Sequence, residues 1–203
     1  MRILLLDLGQ VLLRFDPLIF CRKAADGSPH DAETVYRHLW LGRLKRELDT
    51  GRLGPSPFVD AALAWLDNPR LTRDDFVLAW QDVFWENDGT EAFLDRVAPD
   101  YALWMLSDTD PLHFQHLISR FPLVRRFSHY FLSYTTGCLK SDPAAFAPVL
   151  ARCDPSRDEI LFVDDVQGNV DVARQAGLPA LTFTGWPAVA AALAGKRSGK
   201  RGD

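Results

Sequence analysis

Cysteine is nearly absent. The 203-residue chain has three, Cys21, Cys138 and Cys153, scattered and odd in number, with no Cys-x-x-Cys pair. That pattern argues against a disulfide framework and for buried thiols in a reducing cytoplasm. A nucleophilic cysteine would want a histidine partner, and nothing in the spacing of His113, His116 or His129 singles one out. Long apolar runs are missing too. None approaches the ~18–20 residues of a membrane span, and the chain reaches Asp7 without signal-peptide anatomy. Nor is there a strong excess of one charge. The formal net charge of -4 is mild, whereas a general nucleic-acid binder is usually basic. No internal repeat is visible.

What is present is an ordinary globular balance of 47% hydrophobic and 25% charged residues, with length enough for one core and a smaller subdomain. Residues 2–7, 102–107, 129–133, 160–164 and 180–184 are short, continuously apolar runs, as parallel strands covered on both faces should be. Helical patterns separate the later runs. "DPLHFQHLISRF" offers Asp110 as N-cap and Pro111 at the first helical position, and "SDPAAFAPVLARC" repeats the device with Asp142 and Pro143. "VQGNVDVARQAG" stops at Gly177. This alternation predicts a doubly wound, Rossmann-like α/β core over 1–16 and 91–195.

The stretch 17–90 reads differently. It has no strand-like run, and apolar residues recur at helical spacing in "AETVYRHLWLGRLKREL", "PFVDAALAWL" and "DDFVLAWQDVFW". Thr72 and Asp75 resemble a capping box. We read it as an all-helical subdomain inserted after the first strand, with Trp40, Trp65, Trp80 and Trp85 packing its small core. Arg14, Arg37, Arg43, Lys45 and Arg46 are candidates for a residue that meets the substrate, but as a group they fit the solvated faces of amphipathic helices. The Gly/Lys/Arg-rich residues 196–203 are expected to be a disordered basic tail.

Ligands of parallel α/β sheets bind beyond the carboxyl ends of the strands. The first strand ends in Asp7, the second in Ser107 of "LWMLSDTDP", and the fourth in the pair Asp164–Asp165 of "ILFVDDVQGN"; the third is followed by Lys140 in "TTGCLKSDP". An ionised Asp7 is a plausible nucleophile toward phosphorus. A carboxylate about 4 Å from a phosphate dianion is repelled by roughly 8 kcal/mol at an effective dielectric near 20, so cations must offset the clash. Asp7, Asp164 and Asp165 form a hard oxygen cluster suited to Mg²⁺. Lys140 adds a positive charge and Ser107 a hydrogen-bond donor, and the helix starting near Asp110 aims N–H groups at the same rim.

Taken together, "LLLDLGQVL", "LWMLSD", "GCLKSDPAAF" and "ILFVDDVQGNVDVARQAG" resemble, in order, the four motifs of the haloacid dehalogenase-like (HAD) hydrolase superfamily. "ELDTGRLGPSPF" is similar to the helical cap these enzymes insert after strand one. The resemblance implies a Mg²⁺-dependent phosphatase acting on a small phosphorylated metabolite through a phospho-aspartyl Asp7. It implies metal binding by Asp7, the backbone carbonyl of Gly9 and Asp165, with Asp164 acting through a water. Ser107, Asp108 and Lys140 would bind the phosphoryl group, and Asn169 would support the acid-pair loop. The expected setting is the cytoplasm, as a monomer or homodimer, with neither nucleic acid nor membrane as partner.

The departure is Gly9. Most phosphatases of this family have a second Asp there, which protonates the leaving group and then activates water. Such a group is typically worth ~10²–10⁴ in rate. Three readings compete. "DLGQV" resembles the Asp-x-Gly-x-Val motif of glucose-1-phosphatase-like members, whose sugar 1-phosphate leaving groups need less protonation, with Asp16, Asp108 or Asp110 as partial substitutes. A metal-free 2-haloacid dehalogenase also keeps one Asp in this motif, but Asp164 and Asp165 would repel its carboxylate substrate. The third is a catalytically weak or inactive HAD scaffold kept for binding or regulation, although such a module has no need of the full residue set.

Overall fold

The computed structural model describes residues 2–153 and 159–198, the last three as backbone only. Its strands are β1 (Arg2–Leu6), β2 (Leu13–Phe15), β3 (Phe84–Glu86), β4 (Tyr101–Ser107), β5 (His129–Leu132), β6 (Ile160–Asp164) and β7 (Ala180–Thr182). Its helices are α1 (Pro17–Ala25), α2 (Ala32–Val35), α3 (Arg43–Asp49), α4 (Pro55–Leu66), α5 (Arg73–Gln81), α6 (Thr90–Val97), α7 (Pro111–Arg120), α8 (Ser133–Thr136), α9 (Ala147–Arg152), α10 (Gln167–Gln175) and α11 (Trp186–Ser198).

Five strands make one parallel sheet in the order β5-β4-β1-β6-β7. The most apolar strand is therefore central: β1 is flanked by β4 and β6, and Leu4, Leu5 and Leu6 are fully buried. Alternate side chains of a strand face opposite ways. Leu4 and Leu6 join a cluster with Phe93 of α6, Leu117 of α7 and Val189 of α11. Leu5 joins another with Phe146, Val149 of α9 and Ala173 of α10. Helices thus cover both faces, the doubly wound arrangement expected. The strand order switches sides at β1, with β4 and β5 added on one side and β6 and β7 on the other, and in such sheets that switch point is where a ligand crevice opens.

A third apolar cluster belongs to the inserted stretch. Phe20, Phe58, Phe76 and Trp80 are fully buried in it and their rings pack edge-on, tilted or stacked. Of the other tryptophans there, Trp40 packs at the edge of this cluster, Trp65 lies between the His30 and His38 rings, and Trp85 is exposed. Thr72 caps α5, but its hydroxyl donates to the Asp75 carboxylate at 2.6 Å rather than receiving the full reciprocal box. The stretch contains one strand that its helical periodicity hid: β3 pairs antiparallel with β2, Phe15 opposite Phe84, their rings 5.5 Å apart. Three residues are too short for a period to declare itself, and an aromatic cross-strand pair holds the ribbon instead.

Two smaller corrections concern ends. Strands expected at 129–133 and 180–184 stop at Leu132 and Thr182, because Ser133 opens α8 and Thr182 is followed by a loop. Helix α11 runs to Ser198, so residues 196–198 of the expected disordered tail are helical; 199–203 lie outside the described residues. Cys21 is buried, Cys138 and Cys153 half-buried, and no disulfide forms among the described residues. No described helix is long and apolar enough to cross a membrane.

Candidate active site

The strand ends converge. The Asp7 N–H still bonds the Val163 carbonyl at 3.0 Å, so the ladder that fixes β1 extends to this residue, and the Leu8 N–H donates to its carboxylate at 2.7 Å. Leaving α8, Gly137 takes a left-handed conformation (φ 79°) that glycine accommodates without steric cost, and the chain turns back toward the sheet. The Lys140 N–H then donates to both Asp108 carboxylate oxygens, at 2.9 and 3.2 Å. With its backbone so held, the Lys140 ammonium lies 2.7 Å from Asp7 and 2.6 Å from Asp164. Asp164 is held by further protein donors: its other oxygen accepts the Val166 N–H at 2.8 Å and the Asn169 amide at 3.1 Å. Asn169 is thus hydrogen-bonded to the first acid of the pair.

Asp7, Ser107, Lys140 and Asp164 are buried, whereas Asp165 is half-exposed. Burial pushes the Asp7 carboxyl up to about 8, a shift that Lys140 opposes and the charges of Asp164 and Asp165 reinforce. Asp165 is raised as well, by burial and then by Asp164. Burial would lower the Lys140 ammonium, but Asp7, Asp164 and Asp108 outweigh it and hold it above its ordinary value. Oxygens of Asp7, Asp164 and Asp165 all lie within 4.8 Å of one another. A divalent cation with a preference for oxygen suits this cluster: the donors are hard and the buried negative charge exceeds what Lys140 neutralises.

Two spaces open around these groups. An enclosed cavity of about 180 Å³ is bounded below by Gly9, Ser107 and Asp108 and above by Trp40, Lys45 and Asp49. Asp165 lines a more open groove of about 590 Å³ with Gln10 and Arg14. Gly9 has a steric reason to be glycine: a Cβ there would lie 2.9 Å from the Phe15 ring, which is packed against Phe84 and Trp40. The volume beside the strand-one acid is filled by an aromatic edge.

The three carboxylates suggested as substitutes are engaged elsewhere. Asp16 caps α1 through the Leu18 N–H, Asp108 holds Lys140, and Asp110 caps α7 through the His113 N–H. Since the Asp108 carboxylate is so occupied, that residue has only its backbone to offer a phosphate.

Sequence reasoning missed a second charged group above the cavity. Lys45 is buried, forms a short ion pair with Asp49, and lies 3.4 Å from Asp110. Asp110 in turn is 2.6 Å from His113 Nδ1, and His113 Nε2 donates to the Trp80 carbonyl at 2.8 Å. Burial would raise the Asp110 carboxyl, but His113 and Lys45 outweigh it and hold it well below the usual carboxylate range. Lys45 is held above its ordinary value by Asp49 and Asp110 despite burial. Ser133 was missed as well: its hydroxyl accepts from the Thr109 N–H and donates to the Thr109 carbonyl, both at 3.0 Å, tying the loop after β4 to the start of α8. Nothing but the loss of helical symmetry between Lys45 and its arginine neighbours would have signalled the first group. By contrast Arg37 and Arg43 make exposed pairs with Glu33 and Glu47, and Arg14 and Arg46 are exposed.

A parallel sheet with an acid, a hydroxyl, a lysine and an acid pair at its carboxyl edge, closed by an inserted helical layer, defines a capped α/β hydrolase. Residues 1–177 match the haloacid dehalogenase-like hydrolase model, and the chain belongs to that family. No curated protein matches it. Among solved structures it is similar to a HAD-like family hydrolase from Porphyromonas gingivalis (26% identity, TM-score 0.74, covering 95% of this chain and 98% of that one). It is also similar to the HAD family enzyme bt-2542 from Bacteroides thetaiotaomicron (24% identity, TM-score 0.77, 90% and 93%). A complex of the latter with magnesium and inorganic phosphate matches at 22% identity with TM-score 0.76, again covering 90% and 93%.

Proposed function

We propose that the chain is a Mg²⁺-dependent phosphatase that hydrolyses a small phosphomonoester through a phospho-aspartyl intermediate on Asp7. The observation that carries this reading is Lys140 bridging Asp7 and Asp164, with Asp165 beside them and Ser107 opening to the adjacent cavity. The magnesium-and-phosphate complex of the structurally similar enzyme supports it. Asp7, Asp165 and the Gly9 carbonyl would hold the metal, with Asp164 acting through a water. The metal would neutralise the dianion and the carboxylates together. Asp7 attacks phosphorus, and Ser107 and Lys140 hydrogen-bond the phosphoryl oxygens as charge redistributes. Asn169 and the Val166 N–H keep Asp164 oriented. With glycine at position 9, strand one itself supplies no acid to the leaving oxygen. The site is read as cytoplasmic and as acting in a monomer or homodimer.

The test is hydrolysis of p-nitrophenyl phosphate with and without Mg²⁺. Turnover that needs the metal and falls to background in Asp7→Asn is expected. Metal-independent turnover, turnover that survives Asp7→Asn, or chloride release from 2-chloropropionate without metal would each replace this reading with another.

A further inference from the structure

We propose that Asp49 is the residue that exchanges the proton with the leaving group, from the inserted layer rather than from strand one. The inference rests on the phosphatase reading above and supplies what Gly9 leaves out. Its first support is placement. Asp49 ends α3 and lines the 180 Å³ cavity together with Ser107 and with Gly9, which lies two residues beyond Asp7. Among the described residues, Asp49 and Asp108 are the carboxylates lining that cavity, and Asp108 is bound to the Lys140 N–H.

Its second support is how the loop is seated. Two residues after Asp49, Gly51 has φ 68°, and a Cβ on it would lie 2.3 Å from the Tyr134 carbonyl oxygen of the core. The Asp49 loop is therefore pressed directly onto the segment that leads to Lys140. A glycine is required both by the backbone conformation and by the approach.

Its third support is the company Asp49 keeps. The groups facing it are Lys45 on its own helix and Asp110 and His113 on α7. Within the Lys45–Asp49–Asp110 set, Asp110 is held toward its anion and Lys45 toward its cation, whereas the Asp49 carboxyl is shifted toward its protonated form. Burial raises its carboxyl; Lys45 opposes this and the Asp110 charge adds to it.

The balance is simple. As Asp7 forms its bond to phosphorus and the ester P–O bond breaks, the alkoxide takes the Asp49 proton and leaves as the alcohol. The Asp49 carboxylate then takes a proton from the water that attacks the phospho-aspartyl group. Inorganic phosphate leaves, and Asp7 is again a carboxylate and Asp49 an acid.

The experiment compares kcat/KM with Mg²⁺ for p-nitrophenyl phosphate and butyl phosphate in wild type, Asp49→Asn and Asp49→Glu. Protonation matters most for the poor leaving group. Asp49→Asn should lose about 10²-fold on butyl phosphate and only a few-fold on the aryl ester, with partial recovery in Asp49→Glu. The wild-type profile on butyl phosphate should fall at alkaline pH as the acid ionises, a limb much weaker on the aryl ester. Equal losses on both esters, or none, overturn the role of Asp49 while leaving the phosphatase reading intact. Absence of metal-dependent aryl turnover in wild type removes both. Should Asp49→Asn not fold, the wild-type profiles decide, since identical alkaline limbs on the two esters refute the proposal.

Discussion

The molecule holds a lysine between two buried carboxylates twice. On the sheet, Lys140 lies between Asp7 and Asp164; across the cavity, Lys45 lies between Asp49 and Asp110. In each, the carboxyl nearer the reacting space is raised by burial. They differ in construction. The lower group is assembled wholly from core segments on one sheet edge. The upper one joins a helix of the inserted layer to the N-cap of a core helix, so it exists only while the two layers are in contact. The lesson is a division of labour: a fixed base for phosphorus, and a roof whose charge is completed by docking.

The comparison breaks most sharply at the lower lysine. Lys140→Met should reduce kcat/KM by about 10³-fold, the scale of losing one preorganised charged donor, measured as metal-dependent aryl phosphate hydrolysis. Lys45→Met leaves the phosphoryl group untouched and should cost far less on the same substrate.

Next in size is the upper anchor. Asp110→Asn keeps a capping oxygen but removes the buried carboxylate that Lys45 shares with Asp49 and that lies against His113 Nδ1, and should lower unfolding free energy by about 3 kcal/mol. The Asp110 carboxyl is held below its unfolded value of about 4, so the stability it adds is complete above that pH and vanishes as pH falls through its folded value. The gap between wild type and variant in denaturant melts should therefore be flat near neutrality and narrow below about pH 4.

Smallest is the position between the two groups. Gly9→Asp restores the family's usual acid in name, but its Cβ meets the Phe15 ring. It should cost about 1–2 kcal/mol of stability through overpacking and give no gain on butyl phosphate. Trimming the ring as well, in Gly9→Asp with Phe15→Leu, should recover stability.

Most of the lower group was legible because Asp7, Ser107 and Asp164 end or directly follow strands, and parallel strands deliver their last residues to one edge whatever lies between them; Lys140 comes from the loop after α8. Much of the three 17–90 helix patterns was legible for a similar reason, since the period of buried residues is local, although the first breaks at Leu41–Gly42 and the third runs into β3. Lys45 and Asp49 were not. At i and i+4 on a helix they look like an ordinary solvent-facing pair, as Arg43 and Glu47 in fact are, and only the third partner, Asp110, far along the chain, turns them inward. Likewise the reason for Gly9 lay in Phe15, whose ring position depends on pairing with β3.

Gly51 has one more consequence. With its α-carbon against the Tyr134 carbonyl and no room for a methyl, the seam between the layers has no slack. A lift of the roof off its floor, rather than a slide along it, would clear this contact when a reactant enters or the alcohol leaves. Each such excursion separates Lys45 from Asp110, so opening carries an electrostatic toll and closure restores the charge pairing. Turnover would then be paced by departure rather than bond-breaking once the chemistry is fast.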